Sequence, residues 1–342
     1  MSSIQKPLIT GMLFIQPLFT TFILTTDVYA VSPTKVRLAA HYVPAAPPYK
    51  LLVRFFELTQ KGTGGQVVGQ VYGSGVLGSE STAVRAMMQG NVEMAACSTS
   101  NIGVMTEKFL FADLPYLFDS HKQQIRFYEE TAVGKEVVDS FEKEFGVKLL
   151  MLFANGNFSN IITTKKQVKV PEDVKGLRLR ARDTLTEMSL MKAWGAAPVS
   201  MSYVETHQAE QQGVIDGQFL QYPDIPLDHH NETCKYISEV KAVMSPLRMI
   251  MISRKVWDSF SAENKEIIMK TAKQVQTESL INNEQDVKDA KDFLIKYGNE
   301  IYTPSAAELE KWKKASMPLY DMLKEKIKPE FVYRVREAIA GR

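Results

Sequence analysis

Cysteine is scarce in this sequence: Cys97 and Cys234 are the only two in 342 residues. Two thiols so far apart make no disulfide scaffold, and whether they pair stays open. Cys97 closes an apolar run at 92–96 and reads as a small buried hydrophobe. Histidine is nearly as sparse, and His41, His121, His207, His229 and His230 share no metal-ligand spacing. His229 and His230 have Asp224 and Asp228 nearby, but adjacent side chains on a regular element diverge, so no metal is expected there. An excess of one charge is also missing, with 41 Lys and Arg against 39 Asp and Glu and a formal net charge of +2. No basic stripe interleaves with aromatics, which argues against a nucleic-acid partner.

Catalytic signatures are absent too. There is no Walker A loop, no GxSxG elbow and no HExxH. The segment Gly73-Ser74-Gly75-Val76-Leu77-Gly78 formally matches GxGxxG. Glu93, near the spacing a ribose-binding acid would need, sits inside a short strand, so a glycine-rich turn is the favoured reading. No nucleophile, base and metal set converges, and neither catalysis nor a cofactor is expected. Sixteen methionines, Met87, Met88, Met249 and Met251 among them, fall mostly at core spacing and read as filler.

Long hydrophobic runs are confined to the N-terminus. Lys6 precedes a mostly apolar run from Gly11 to Thr25, interrupted by Gln16 and Pro17, and Val28-Tyr29-Ala30 follows. A positive start, a short apolar stretch and a small residue describe a secretory signal cleaved after Ala30, with a retained anchor as the alternative. Export of a soluble mature chain is the resulting expectation, because no later stretch is long and apolar enough to span a bilayer.

What the sequence does have is the content of an ordinary globular protein, 45% hydrophobic and 23% charged. Its length suits two lobes of roughly 150 residues each. Short apolar runs at 35–40, 66–72, 92–96 and 148–154 alternate with amphipathic ones at 49–60, 79–89 and 122–145, the last interrupted around Gly134. This βαβα order predicts an α/β fold with a largely parallel sheet. A second set follows, with strands at 161–164, 176–182, 218–220 and 247–253. Helical patterns begin at Pro171-Glu172-Asp173 and cover 184–194 and 203–212. From Ser261, a good N-cap, to Lys296 no Pro or Gly intervenes. About 35 helical residues at about 1.5 Å each reach about 50 Å, enough to tie two lobes together around a cleft.

One strand poses a problem of its own. In Gly176-Leu-Arg-Leu-Arg-Ala-Arg182 the apolar residues Leu177, Leu179 and Ala181 share one face, while Arg178, Arg180 and Arg182 share the other. Guanidinium groups are costly to bury without anions, so either that face is solvated or an arginine awaits a ligand.

Several segments together resemble a known family, the DctP-type periplasmic solute-binding proteins of tripartite ATP-independent periplasmic (TRAP) transporters. They are Gly75-x-Leu-Gly-x-Glu80, Gly90-x-x-x-Met94, Leu114-Pro-x-Leu-Phe118, Pro171-Glu-Asp-x-x-Gly-Leu-x-x-Arg180, Gly195-Ala-x-Pro198 and Gly213-Val-x-Asp-Gly-Gln218. Their order covers nearly the whole chain beyond residue 31. The resemblance implies a two-lobed α/β periplasmic-binding-protein fold, type II-like, with a long helix bridging both lobes. The lobes would span 31–153, with about 243–260 returning, and 154–242; the bridging helix 261–297 and a C-terminal segment 298–342 would complete the chain.

Function follows by the same resemblance. The protein would close around a small organic acid anion and deliver it, as a monomer, to integral membrane subunits of the transporter. The arginine ending the Gly-Leu-x-x-Arg strand, Arg180, would hold the ligand carboxylate, while Arg178 and Arg182 would be bystanders. A guanidinium offers two parallel N–H donors to a carboxylate, selecting charge and orientation together. Two departures stand out. Asn160 occupies the place of a second arginine carried by many members, and Leu220 replaces the asparagine of sialate-binding relatives. Both point to a monocarboxylate with an apolar or aromatic body, lined by Phe219, Leu220 and Tyr222 and hydrogen-bonded by Asn155, Asn157 and Asn160. From the first lobe His41, Tyr42, Glu80, Ser98 and Ser100 would face the cleft. An exported enzyme on the same frame, a ligand sensor for a signalling partner and an ABC-type binding protein are the alternatives.

Overall fold

The structure, a computed structural model, describes residues 32–341. The expected secretory signal lies outside the described residues. Among the described residues no helix is long and apolar enough to cross a membrane.

The first lobe is built on strands β1 (Thr34–Ala39), β2 (Val67–Tyr72), β3 (Met94–Ser98) and β4 (Val147–Phe153). Helices α1 (Pro47–Gly62), α2 (Glu80–Met88), α3 (Thr99–Met105), α4 (His121–Glu130) and α5 (Ala132–Phe145) connect them. The predicted helix over 122–145 is two helices, and the break falls at Thr131. Its hydroxyl accepts from Gly134 N (3.0 Å) and donates to Phe127 O (2.7 Å), capping α5 while ending α4. Gly134 serves close packing: a Cβ there would stand 1.8 Å from Phe127 O.

The second lobe contains β5 (Asn160–Thr163), β6 (Arg178–Ala181), α6 (Leu185–Ala193), β7 (Ala197–Ser200), α7 (Thr206–Gln211) and β8 (Gly217–Leu220). Short elements α8 (Asp224–Leu227), α9 (His230–Thr233) and β9 (Tyr236–Ser238) complete it. The chain then returns through β10 (Arg248–Ser253), α10 (Arg254–Ser259), α11 (Ala262–Tyr297), β11 (Glu300–Tyr302), α12 (Ala306–Ser316), α13 (Pro318–Met322) and α14 (Pro329–Ala340).

Both sheets are largely parallel, as the element order predicts, and each contains one reversed strand, β10 in the first and β5 in the second. The first runs β2-β1-β3-β10-β4 and the second β11-β9-β5-β8-β6-β7. Strand β10 re-enters the first sheet from the second lobe, so it runs antiparallel to both β3 and β4. It is apolar beyond Arg248 because it is central: Met249 and Met251 pack into one core layer, Ile250 and Ile252 into the layer on the other face. Strand β3 divides likewise, and Cys97 fills its layer beside Ala95. Cys97 and Cys234 are both free and buried.

The bridging helix is α11, 36 residues from the Ser261 cap to Gly298, which adopts φ 106°. Ile268, Ala272 and Val275 pack with α1 and the first sheet, whereas Ala290 and Leu294 pack with β5 and β9. Between them Asn283 grips the crossover, accepting from Gly156 N (2.7 Å) and donating to Gly156 O (2.9 Å). After β11, Trp312 of α12 is buried and donates to Lys169 O (2.9 Å), and α14 sets Val332 and Val335 into the first core.

Candidate ligand-binding cleft

A cavity of about 250 Å³ opens where the C-terminal ends of β1 and β3 face those of β6, β7 and β8. One wall comes from the first lobe: His41, Ser79, Glu80, Ser98, Asn101 and Val104. The opposite wall carries Arg180, Met201, Ser202, Tyr203, Leu220 and Gln221, with Arg248 and Asp224 also lining the cavity.

The arginine strand resolves into three different environments. Arg178 binds Asp216 through Nη2 (2.8 Å) and Nε (3.2 Å). Burial would raise the Asp216 carboxyl, but Arg178 and Lys165 hold it well below the usual range. Arg182 pairs with Glu187 at 2.9 Å. Of these three arginines, Arg180 alone has no carboxylate within ion-pair distance among the described residues. It is 4% exposed; its Nε donates to Met201 O (3.2 Å) and its guanidinium lies 5.7 Å from the Tyr203 ring. Burial pulls its pKa down to about 10, the signature of a cation held without its counter-ion.

The facing wall is organised by Glu80, in the first turn of α2. Its carboxylate accepts from Ser98 N (3.1 Å), from Ser98 Oγ (2.7 Å) and from Asn101, while His41 Nδ1 stands 2.9 Å away. Burial would raise this carboxyl, but His41, Arg248 and Asn101 hold it well below the carboxylate range. Ser98 also caps α3 by accepting from Asn101 N (3.2 Å).

The structure thus brings together His41, Glu80, Ser98, Arg180 and Leu220 of the residues chosen from sequence. The others lie elsewhere. Tyr42 sits behind the wall, its ring 4.1 Å from His41 and 5.8 Å from the Arg248 guanidinium. Asn155 donates to Asp224 (2.8 Å), so it orients a wall residue. Asn157 is exposed and accepts from Asn283 on α11 (3.1 Å). Asn160 is buried at the start of β5 opposite Leu220, its Nδ2 without a partner, yet it does not line the cavity. Phe219 points away from Leu220, as strand alternation requires, and packs edge-to-face on Trp194 at 5.3 Å. Tyr222 donates to Glu239 (2.8 Å) under Lys291, and Ser100 donates to Asp113. Neither reaches the cavity.

Residues not foreseen include Tyr203, Gln221, Asp224 and Arg248. Arg248 had a visible signal, a lone charge heading an otherwise apolar strand. The Gly73–Gly78 segment is a turn with Ser74, Gly75 and Gly78 at positive φ, leading into the Ser79 cap of α2. His229 pairs with Glu232 (3.0 Å) and His230 with buried Glu210 (2.7 Å).

The sequence model of bacterial extracellular solute-binding protein, family 7 (DctP), matches residues 39–326. The chain belongs to this family. Among relatives, an uncharacterized protein of Haemophilus influenzae is 30% identical over 315 residues, spanning 90% of this chain and 93% of its own. The C4-dicarboxylate-binding periplasmic protein DctP of Rhodobacter capsulatus is 26% identical, spanning 90% and 92%. In structure the chain is similar to the sugar acid binding protein DctPAm of Advenella mimigardefordensis, solved with galactonate, with TM-score 0.85, 25% identity and coverage of 91% and 99%. The fold is therefore the two-lobed one of TRAP solute-binding proteins, with α11 as its bridging helix.

Proposed function

We propose that this DctP-family protein captures a small organic monocarboxylate outside the cytoplasm and presents it to TRAP membrane subunits. The observation that carries the reading is Arg180, a buried guanidinium at the cavity wall with no internal carboxylate and its Nη groups turned to no protein acceptor. A ligand carboxylate would supply the missing counter-ion and accept both donors of the fork. Among the described residues lining the cavity only one such arginine is free: Arg182 is matched by Glu187, and Arg248 stands between Glu80 and Asp224. One free cation suits one carboxylate.

The body of the ligand reads differently from the sequence-based expectation. With Phe219 and Tyr222 in the cores, the cavity wall combines apolar side chains, Val104, Met201, Val204 and Leu220, with hydroxyl- and amide-bearing residues, Ser79, Ser81, Asn101, Ser200, Ser202 and Gln221. Such a wall favours a hydroxylated acid over an aromatic one, because each buried ligand hydroxyl needs a partner. The galactonate bound by the Advenella mimigardefordensis protein is a compound of this kind.

A thermal-shift screen of the purified protein tests the reading, with aldonates, uronates, short hydroxy and keto acids, aromatic acids, dicarboxylates and neutral sugars. A ligand present at about 100 times its Kd stabilises the folded state by about 2.7 kcal/mol. The expected result is a rise with hydroxylated monocarboxylates and none with neutral sugars. Stabilisation by neutral sugars alone would refute the proposal.

A further inference from the structure

We propose that Arg248 is a second ligand anchor whose charge is already matched inside the fold, so that it takes a neutral oxygen of the bound acid and turns away a second carboxylate. The proposal rests on reading the cleft as an organic-anion site.

Arg248 is the first residue of β10, 5% exposed, and it lines the cavity. Its Nη1 is 3.6 Å from Glu80 Oε1 and its Nη2 is 3.5 Å from Asp224 Oδ2. These distances neutralise charge but are too long for good hydrogen bonds. Its Nε is buried without any partner. Arg248 therefore has charge balance without hydrogen-bond balance, an arrangement that a neutral acceptor completes.

Its two carboxylates are themselves fixed. Glu80 is held by Ser98 and Asn101, and Asp224 accepts from Asn155 (2.8 Å) and from Gln221. A hydroxyl or carbonyl oxygen arriving at Arg248 gains donors at no electrostatic cost. A carboxylate arriving there meets Glu80 and Asp224 around a single guanidinium, and the excess negative charge opposes it. Arg180 and Arg248 thus divide the work: the unmatched cation takes the charge, and the matched one takes a polar neutral group.

Matched acids differing by one carboxylate test this: galactonate with galactarate, gluconate with glucarate, and lactate with tartronate, titrated by calorimetry against the whole protein. In the wild type the monocarboxylate of a pair should bind at least tenfold more tightly than its dicarboxylate. Glu80→Gln should shrink that ratio at least tenfold by freeing positive charge at Arg248. Asp224→Asn should act in the same direction and serves if the first variant does not fold. Arg248→Met should weaken the monocarboxylate at least tenfold. A dicarboxylate that binds as tightly as its partner, or an unchanged ratio in both acid variants, overturns the Arg248 proposal while leaving the anion site standing. If none of the six acids binds, the proposal falls, and the wider screen decides separately whether the anion site falls with it.

Discussion

Replacing Arg180 by methionine should stabilise the empty protein while abolishing capture. The drop of the Arg180 pKa from the ordinary arginine value to about 10 corresponds to about 3 kcal/mol of unfavourable desolvation in the folded state. Methionine removes that cost and fills a similar volume. Against it stand the lost hydrogen bond to Met201 O and the lost contact with the Tyr203 ring, about 1 kcal/mol each. The net is about 1 kcal/mol in favour of the variant, or a melting temperature about 2 °C higher for a chain of this size. Affinity moves the other way. A ligand carboxylate left without its guanidinium loses about 3–5 kcal/mol, a few hundred-fold or more in Kd. Thermal melts with and without the strongest acid from the screen, together with calorimetric titration, read both effects. A ligand-free variant melting several degrees below the wild type, or one that still binds the acid, would refute the reasoning.

Two further outcomes concern stability. Burial pushes the His121 ring, bonded to Ser245 O at 2.8 Å, down to about 4, so the folded state holds it neutral. Its contribution is complete above pH 6.5 and is lost as pH falls toward 4, because the unfolded chain takes the proton first. The stability advantage of the wild type over His121→Gln should therefore shrink by about 3 kcal/mol between pH 7 and pH 4 in urea titrations. Asp113, raised to about 6 by burial, works in the opposite sense but is common to both proteins. A pH-independent difference would contradict this assignment. Gly134→Ala should destabilise, although helix propensity alone would credit alanine with about 1 kcal/mol. The new Cβ would lie 1.8 Å from Phe127 O, and separating α4 from α5 should cost at least about 2 kcal/mol in a denaturant melt. A gain in stability would show that the α4–α5 contact yields easily.

Local periodicity made most elements legible. The strands at 35–40 and 66–72 and the long helix from Ser261 were all readable because each is a continuous apolar or amphipathic pattern. The reversal of β10 was not readable, since Met249 to Ile252 look the same whether it runs with its neighbours or against them. Strand β7 was hidden by Pro198, and β9 and β11 by their three-residue lengths. At the site, alternation singled out the arginine face of β6, but only the partners Asp216 and Glu187 separate Arg178 and Arg182 from Arg180. The same alternation rule forbids Phe219 and Leu220 from facing one cavity, and Phe219 belongs to the Trp194 core. Asn155 and Asn157 were misleading for a different reason. They lie in the crossover, where no period exists, and serve Asp224 and α11 instead.

The long helix also sets a phase. Its first half is keyed to one core by Ile268, Ala272 and Val275, and its second half to another by Ala290 and Leu294. One residue inserted between these halves would rotate them by about 100° and lengthen the helix by about 1.5 Å. Seven residues would restore the angle to within about 20° but add about 10 Å. No insertion repairs both, so the residue count between Val275 and Ala290 is itself a structural constant of the cleft. The helix works as a ruler and a dial at once, and its polar outer face can vary freely while its length cannot.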